Sequence, residues 1–401
     1  MITGAADDDP SGIATYSVAG AQFGTRLLWT ALLTWPLMAA VQMMCARIGK
    51  VTGEGLAGNL KQRFPRWLLV AFVTALLAAN TINIGADLAG MADAAAMLSG
   101  INSHLFVAAF ALLIGWATVR LEYKQIAGVL KWLVLVLFAY PVTAFVVGAN
   151  WGQVLRDTFV PSIPSGREEW ATLVAILGTT ISPYLFFWQA SEEVEEEKSE
   201  GQSTLAQRRG ATEEELGLRK IDVGVGAFFS NMVMFFIILT TAVTLNRHGI
   251  THIETSRQAA EALKPFAGNF AATLFTLGIV GVGFLAIPTL AGSAAYAFAE
   301  TLGWRQGLNR KLKQARWFYA LILASMAVGV ALDLIGINPV KALYWTAVLN
   351  GLLAPFLLVG ILMVAADKKL MQGQPSSRLG WIVVALTTVA MFAAGVAMFV
   401  V

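Results

Sequence analysis

Asp9-Pro10-Ser11-Gly12 interrupts an apolar stretch near the start of the chain, and Gly178-Thr179-Thr180-Ile181-Ser182-Pro183-Tyr184 interrupts another. Pro10 and Pro183 are 173 residues apart. Proline removes a backbone N–H and clashes with the preceding turn, while glycine tolerates dihedrals that other residues avoid, so both helices are expected to unwind here. In hydrocarbon, freed carbonyls survive only where protein or water satisfies them, which places such breaks at an internal cavity. Half-helix C-terminal ends offer partial negative charge and Asp9 adds a full one, a combination suited to a cation. Pro183 alone would read equally as a kink. An acid buried in a membrane is costly and usually functional, which favours the cation reading at Asp9.

Working outward, the composition requires a membrane. Of 401 residues 57% are hydrophobic and only 13% charged, and the mean hydropathy is +0.66, which excludes an ordinary soluble enzyme. A net charge of +3 gives no support to a nucleic-acid partner. The single Cys45 excludes a disulfide framework, and three histidines make a zinc or haem centre improbable. Neither His-Glu-x-x-His nor Gly-x-Ser-x-Gly occurs, so no enzyme is expected.

A bilayer core takes about 20 apolar residues per helix. Eleven such windows run over 3–23, 27–47, 67–99, 103–120, 124–149, 169–191, 221–246, 267–301, 315–336, 341–366 and 379–400. The first carries Asp7, Asp8 and Asp9 where a signal peptide would be basic. With the N-terminus in the cytoplasm, all but seven of the 28 Lys and Arg fall inside, counting Lys131 at the start of helix 5; the seven are Arg26, Arg156, Arg167, Arg247, Arg257, Lys264 and Lys341. That asymmetry predicts N-inside and C-outside in a cell inner or plasma membrane. Residues 192–220, dense in charge, read as a solvated cytoplasmic loop, and Thr251 to Phe266 as a short external amphipathic helix. Each break lies in the first helix of a set of five. This predicts an all-α polytopic protein of two inverted repeats, 1–150 and 168–367, with an eleventh helix at 379–401.

At these residues the chain resembles the Nramp family of divalent-metal transporters, whose fold is the LeuT type with discontinuous helices 1 and 6. The resemblance spans nearly the whole chain. It rests on Asp9-Pro10-Ser11-Gly12-Ile13-Ala14-Thr15 with Ala19-Gly20-Ala21-Gln22-Phe23-Gly24, on Thr52-Gly53 and Arg63-Phe64-Pro65, on Asp87-Leu88-Ala89, and on Ala271-Ala272-Thr273-Leu274-Phe275. Relatives carry more residues before Asp-Pro than the eight here, so the inner half of helix 1 is expected to be short.

The departures from the family are specific. Typical members read Asp-Pro-Gly-Asn, with the Asp and Asn coordinating metal; here Gly12 stands for the Asn. Typical Met-Pro-His becomes Ser182-Pro183-Tyr184, which removes a thioether and a histidine. Asp-Leu-Ala-Glu becomes Asp87-Leu88-Ala89-Gly90, without the glutamate associated with proton movement, and a helix 10 glutamine is replaced by Ala347 with Asn350 nearby. Oxygen and water suit magnesium, which usually keeps several waters, and Gly12 is expected to leave room for them. The losses resemble the Nramp-related magnesium transporter branch and imply passage of largely hydrated Mg²⁺ by alternating access without proton coupling. The alternative is a proton-coupled Mn²⁺ or Fe²⁺ importer. The resemblance implies a monomer in a lipid bilayer with no cofactor besides the transported metal.

The candidate metal-contacting residues are Asp9, Ser11, Gly12, Thr179, Ser182, Tyr184 and Asn350, with Asp87 either a second cation station or the partner of Arg316. Asn80 and Asn83 share a helix face and point into the cavity or bond across helices; Asn231 has the same two readings. The tryptophans at span ends, such as Trp29, Trp67 and Trp381, read as interfacial anchors. An amino-acid symporter of the same fold is disfavoured, because Asp9 would repel a substrate carboxylate.

Overall fold

The computed structural model describes residues 9–121, 128 and 135–401, and every regular element among them is helical. In chain order they are α1 (Pro10–Phe23), α2 (Trp29–Thr52), α3 (Leu56–Lys61), α4 (Arg66–Ser99), α5 (Ser103–Arg120), α6 (Ala139–Val147, after a 3₁₀ turn at Leu135–Phe138), α7 (Trp151–Phe159), α8 (Arg167–Thr180), α9 (Pro183–Ser199), α10 (Glu213–Thr244), α11 (Ser256–Glu261), α12 (Lys264–Ala267), α13 (Ala271–Leu302), α14 (Arg316–Asp333), α15 (Pro339–Ala366) and α16 (Arg378–Val400). Nine segments among the described residues are long and apolar enough to cross a bilayer, one of them the broken pair Arg167–Ser199. The other two expected spans are α1, of 14 residues, and the apolar segment Leu135–Val147. Residues 1–8 and Lys131 lie outside the described residues.

Local chemistry sets the ends. The first turn of α10 is closed by a reciprocal capping box between Thr212 and Glu215. α4 stops at Gly100 in the left-handed region, φ 71°. With 34 residues α4 is about 50 Å long at 1.5 Å per residue, longer than the hydrocarbon core, so it tilts or projects. The Thr251 to Phe266 stretch holds two short helices, α11 and α12, instead of one.

Glycine brings backbones into contact where no side chain fits between them. A Cβ on Gly178 of α8 would lie 2.0 Å from the Ala347 carbonyl oxygen of α15, and one on Gly351 would lie 2.2 Å from that of Val174. Gly20 of α1 meets the Ile238 carbonyl of α10 in the same way, Gly49 of α2 that of Ala190 in α9, and Gly85 of α4 packs on Gly329 of α14. Small residues at such crossings are how membrane helices approach closely. Trp67 and Trp381 are exposed in the first turns of α4 and α16, as anchors should be, whereas Trp29 packs against the core.

The charged stretch 192–220 is not a solvated loop. α9 continues to Ser199 and α10 begins at Glu213, leaving 200–212 between them. Glu193 and Glu197 are buried because bases from other helices reach them. Arg219 Nε stands 2.8 Å from Glu193 and its guanidinium also meets Glu196, while Lys50 Nζ lies 3.8 Å from Glu197 and 3.5 Å from Glu215. Buried charges persist when paired, and here the partners lie far away in sequence.

Candidate functional site

The first break is organised by Asp9. As the residue before Pro10 it is held extended, φ −88° and ψ 169°, and so falls at the N-cap of α1. Asp9 Oδ1 accepts hydrogen bonds from Gly12 N (2.7 Å) and Ser11 Oγ (2.6 Å), and Oδ2 accepts one from Asn83 Nδ2 of α4 (2.9 Å). The carboxylate is 2% exposed. The described part of α1 therefore turns its N-terminus to Asp9, so the expected negative C-terminal end is absent from the described side of this break; the positive end holds the carboxylate in place instead.

The second break supplies the C-terminal end that the first lacks. α8 finishes at Thr180, and Ser182 Oγ donates to the freed carbonyls of Gly178 (2.7 Å) and Thr179 (2.8 Å) before Pro183 opens α9. Its hydroxyl proton is thereby committed to carbonyls, and its lone pairs remain as acceptors. Thr179 bridges the two breaks. Its Oγ1 lies 3.2 Å from Tyr16 OH of α1 and 2.9 Å from where a Cβ on Gly12 would stand. The room expected at Gly12 for a hydrated ion is thus filled by Thr179 and Tyr16. A missing side chain on one helix has let its neighbour move in.

Asp87 does not pair with Arg316, which lies over the Trp317 ring at the start of α14. It is fully buried in α4 with Asp9 as its charged neighbour and the Ser11 backbone N–H turned toward it, but neither carboxylate oxygen has a hydrogen bond of good geometry. The Oδ1 atoms of Asn83 and Asn350 are also buried and unpartnered. Buried acceptors are normally satisfied, so the unsatisfied oxygens of Asp87 and of Asn83, whose amide already holds Asp9, mark a place for a cation or water. Among the described residues no group of three or more His, Cys, Asp and Glu comes together so as to hold a metal ion, so any cation here must rely on amides, hydroxyls and carbonyls as well.

The other candidates separate. Ser11 and Gly12 complete the Asp9 cap. Tyr184 is fully buried in the apolar core at the start of α9. Asn350 precedes the Gly351 contact with α8. Asn80 bonds across helices to Leu290 O (2.8 Å) and Ser293 Oγ (2.9 Å), and Asn231 accepts from Thr34 Oγ1 (2.6 Å). Asn83 and Tyr16 are the site residues outside the candidate set. Asn83 is one turn before Asp87 and Tyr16 two turns after Asp9, a spacing that places each on its partner's face. At Gly90 a Cβ would stand 2.8 Å from Leu343 Cδ1, so an apolar side chain occupies the space a glutamate would need.

A family model described as Nramp, natural resistance-associated macrophage protein-like, matches residues 1–401. The chain belongs to the Nramp family. Two relatives named divalent metal cation transporter MntH are each 27% identical to this Nramp chain. The one from Caldanaerobacter subterraneus matches over 91% of this chain and 83% of its own length, and the one from Yersinia enterocolitica over 92% and 86%. Among solved structures, the Eremococcus coleocola manganese transporter superposes with a TM-score of 0.70 at 17% identity, covering 99% of this chain and 85% of that one. Mhp1, a nucleobase-cation-symport-1 family transporter in a closed conformation, superposes at 0.59 with 14% identity, covering 99% and 88%. The fold is the LeuT type, with the sixth helix discontinuous at Ser182 and the described part of the first beginning at Asp9.

Proposed function

We propose that the chain carries a divalent metal ion across the membrane by alternating access, with Asp9 as the central ligand. The observation that carries this reading is the pair Asp9 and Asp87, buried side by side at the helix break with no base in contact among the described residues. Two carboxylates in a low-dielectric interior require compensation, and a single divalent cation matches their charge. Asp87, Asn83 and Thr179 lie beside Asp9 or its cap and would supply further oxygens, Ser182 and Asn350 are the remaining candidate donors, and Ser11, Gly12 and Tyr16 position the site.

Oxygen donors suit Mg²⁺, Ca²⁺ and Mn²⁺ over softer metals. Mn²⁺ import leads, because the relatives are named for divalent metal cation transport and the structural neighbour for manganese. The filled space at Gly12 also suits an ion that sheds water more readily than Mg²⁺. Uncoupled Mg²⁺ passage is the second reading, favoured by Ser182 in place of a thioether and by Leu343 in the space a glutamate at 90 would need. In this reading the N-terminus lies on the cytoplasmic side of an inner or plasma membrane, which the Lys and Arg asymmetry supports, and repeats of 1–150 and 168–367 supply the two breaks. Liposomes holding the chain and an internal pH dye separate the readings. Saturable Mn²⁺ influx that acidifies the lumen and resists excess Mg²⁺ supports the first. Mg²⁺ influx at constant pH supports the second, and absence of flux for both ions refutes transport of either.

A further inference from the structure

α5 and α14 run side by side on a face that contributes nothing to the two breaks. Between them lies a cavity of about 630 Å³. Gly115 lies in its floor, where α14 side chains pack close to α5: a Cβ there would stand 3.3 Å from Leu323 Cδ2 and 3.6 Å from Met326 Sδ. The walls are apolar, with Leu112 and Trp116 on α5 facing Met326 and Val330 on α14. Leu112 is 75% and Trp116 56% exposed, so the groove opens outward, toward hydrocarbon in a membrane-spanning chain.

The two ends of this groove differ in charge. At one end Arg120 closes α5 and lines the cavity, and Leu312, from the connection between α13 and α14, lines it too. Leu312 is flanked by Lys311 and Lys313 and preceded by Arg310. All four cations are exposed, and none forms an ion pair with a described residue. At the opposite end of the same two helices His104 meets Asp333, and among the described residues that end offers no comparable cluster of cations. An apolar slot with Arg120 lining one mouth, beside a connection that carries Lys311 and Lys313 next to Leu312, all without an ion pair to a described residue, has the polarity of a phospholipid: acyl chain along the slot, phosphate at the mouth.

We propose that the α5/α14 groove is a binding site for an anionic phospholipid, its acyl chain lying along Trp116 and its phosphate held by Arg120, Lys311 and Lys313. The full chain is reconstituted in phosphatidylcholine vesicles, and brominated phosphatidylglycerol or brominated phosphatidylcholine is titrated in. The quenching of Trp116 is read as the difference between the parent chain and Trp116→Phe. The anionic lipid is expected to quench at about tenfold lower mole fraction than the neutral one, given several cations at the headgroup. The triple change Arg120→Gln, Lys311→Gln and Lys313→Gln is expected to bring the two lipids level. If that variant does not fold, high salt on the parent chain serves the same purpose and is expected to abolish the preference. Equal quenching by both lipids in the parent chain overturns the proposal. So does a preference that survives both charge removal and salt, and so does displacement by soluble glycerol phosphate, which would mark a site for a free anion.

Discussion

The two helix breaks share a backbone plan and differ in chemistry. Asp9 and Ser182 each precede a proline at the first helical position, and each is an extended N-cap. At Asp9 the cap accepts: three donors converge on one carboxylate, and the charge is held without a base. At Ser182 the cap donates: one hydroxyl closes the two carbonyls left at the end of α8. One break therefore presents a fixed negative charge and the other a set of neutral dipoles. A proline break specifies where a helix opens, and the residue before it specifies what the opening offers.

The largest test of this division is Asp9→Ala, which removes the only charge of the two caps. Metal uptake into liposomes is expected to fall by more than about 100-fold, beyond the 10–100-fold typical of a supporting partner. Uptake within threefold of the parent would break the comparison. Asn83→Ala removes such a partner and is expected to weaken apparent metal affinity by about tenfold, with the maximal rate less affected. An unchanged affinity would mean that the α4 amide does not hold the carboxylate in the working protein.

Ser182→Ala leaves the Gly178 and Thr179 carbonyls short of a donor, at an expected cost of about 1–3 kcal/mol in stability, read as a lower unfolding temperature in detergent. Its Asp9 counterpart should lose transport before stability, and the reverse order would overturn the assignment of roles. Ser182→Met sharpens the same point by adding a soft donor, which should raise competition by Cd²⁺ against Mn²⁺. The smallest effect is expected for Gly12→Ala. Its new Cβ would press on Thr179 Oγ1 at 2.9 Å and shift the Tyr16 contact, changing uptake by a few-fold at about 1 kcal/mol.

The breaks and the spans were legible because each is written locally. Proline sets the residue before it, and apolar windows of helical length announce themselves. What stayed hidden depends on partners distant in sequence. The acids of α9 read as a solvated block until Lys50 of α2 and Arg219 of α10 are seen beside them. Gly12 read as empty space, because nothing near it in sequence discloses that Thr179 would fill it. Asp87 read either as a second cation station or as the partner of Arg316, and nothing near it in sequence discloses that its charged neighbour is another acid. Asn83 had only the helix face it shares with Asn80 to recommend it, and that pattern fits bonding across helices equally well.

The glycine crossings have a mechanical consequence. Where two backbones touch, no rotamer is available to absorb a displacement, so α1 with α10, α2 with α9, α4 with α14 and α8 with α15 form stiff couples. Rocking is then confined to the seams between couples. Those seams are crossed by Asn83 to Asp9 and by Thr179 to Tyr16, bonds that join α1 to α4 and to α8. Under the proposed alternating access, the contacts that shape the ion's seat are therefore among those that part when the bundle rocks, alongside Thr34 to Asn231 and Arg219 to Glu193, so that opening the path also loosens the cargo.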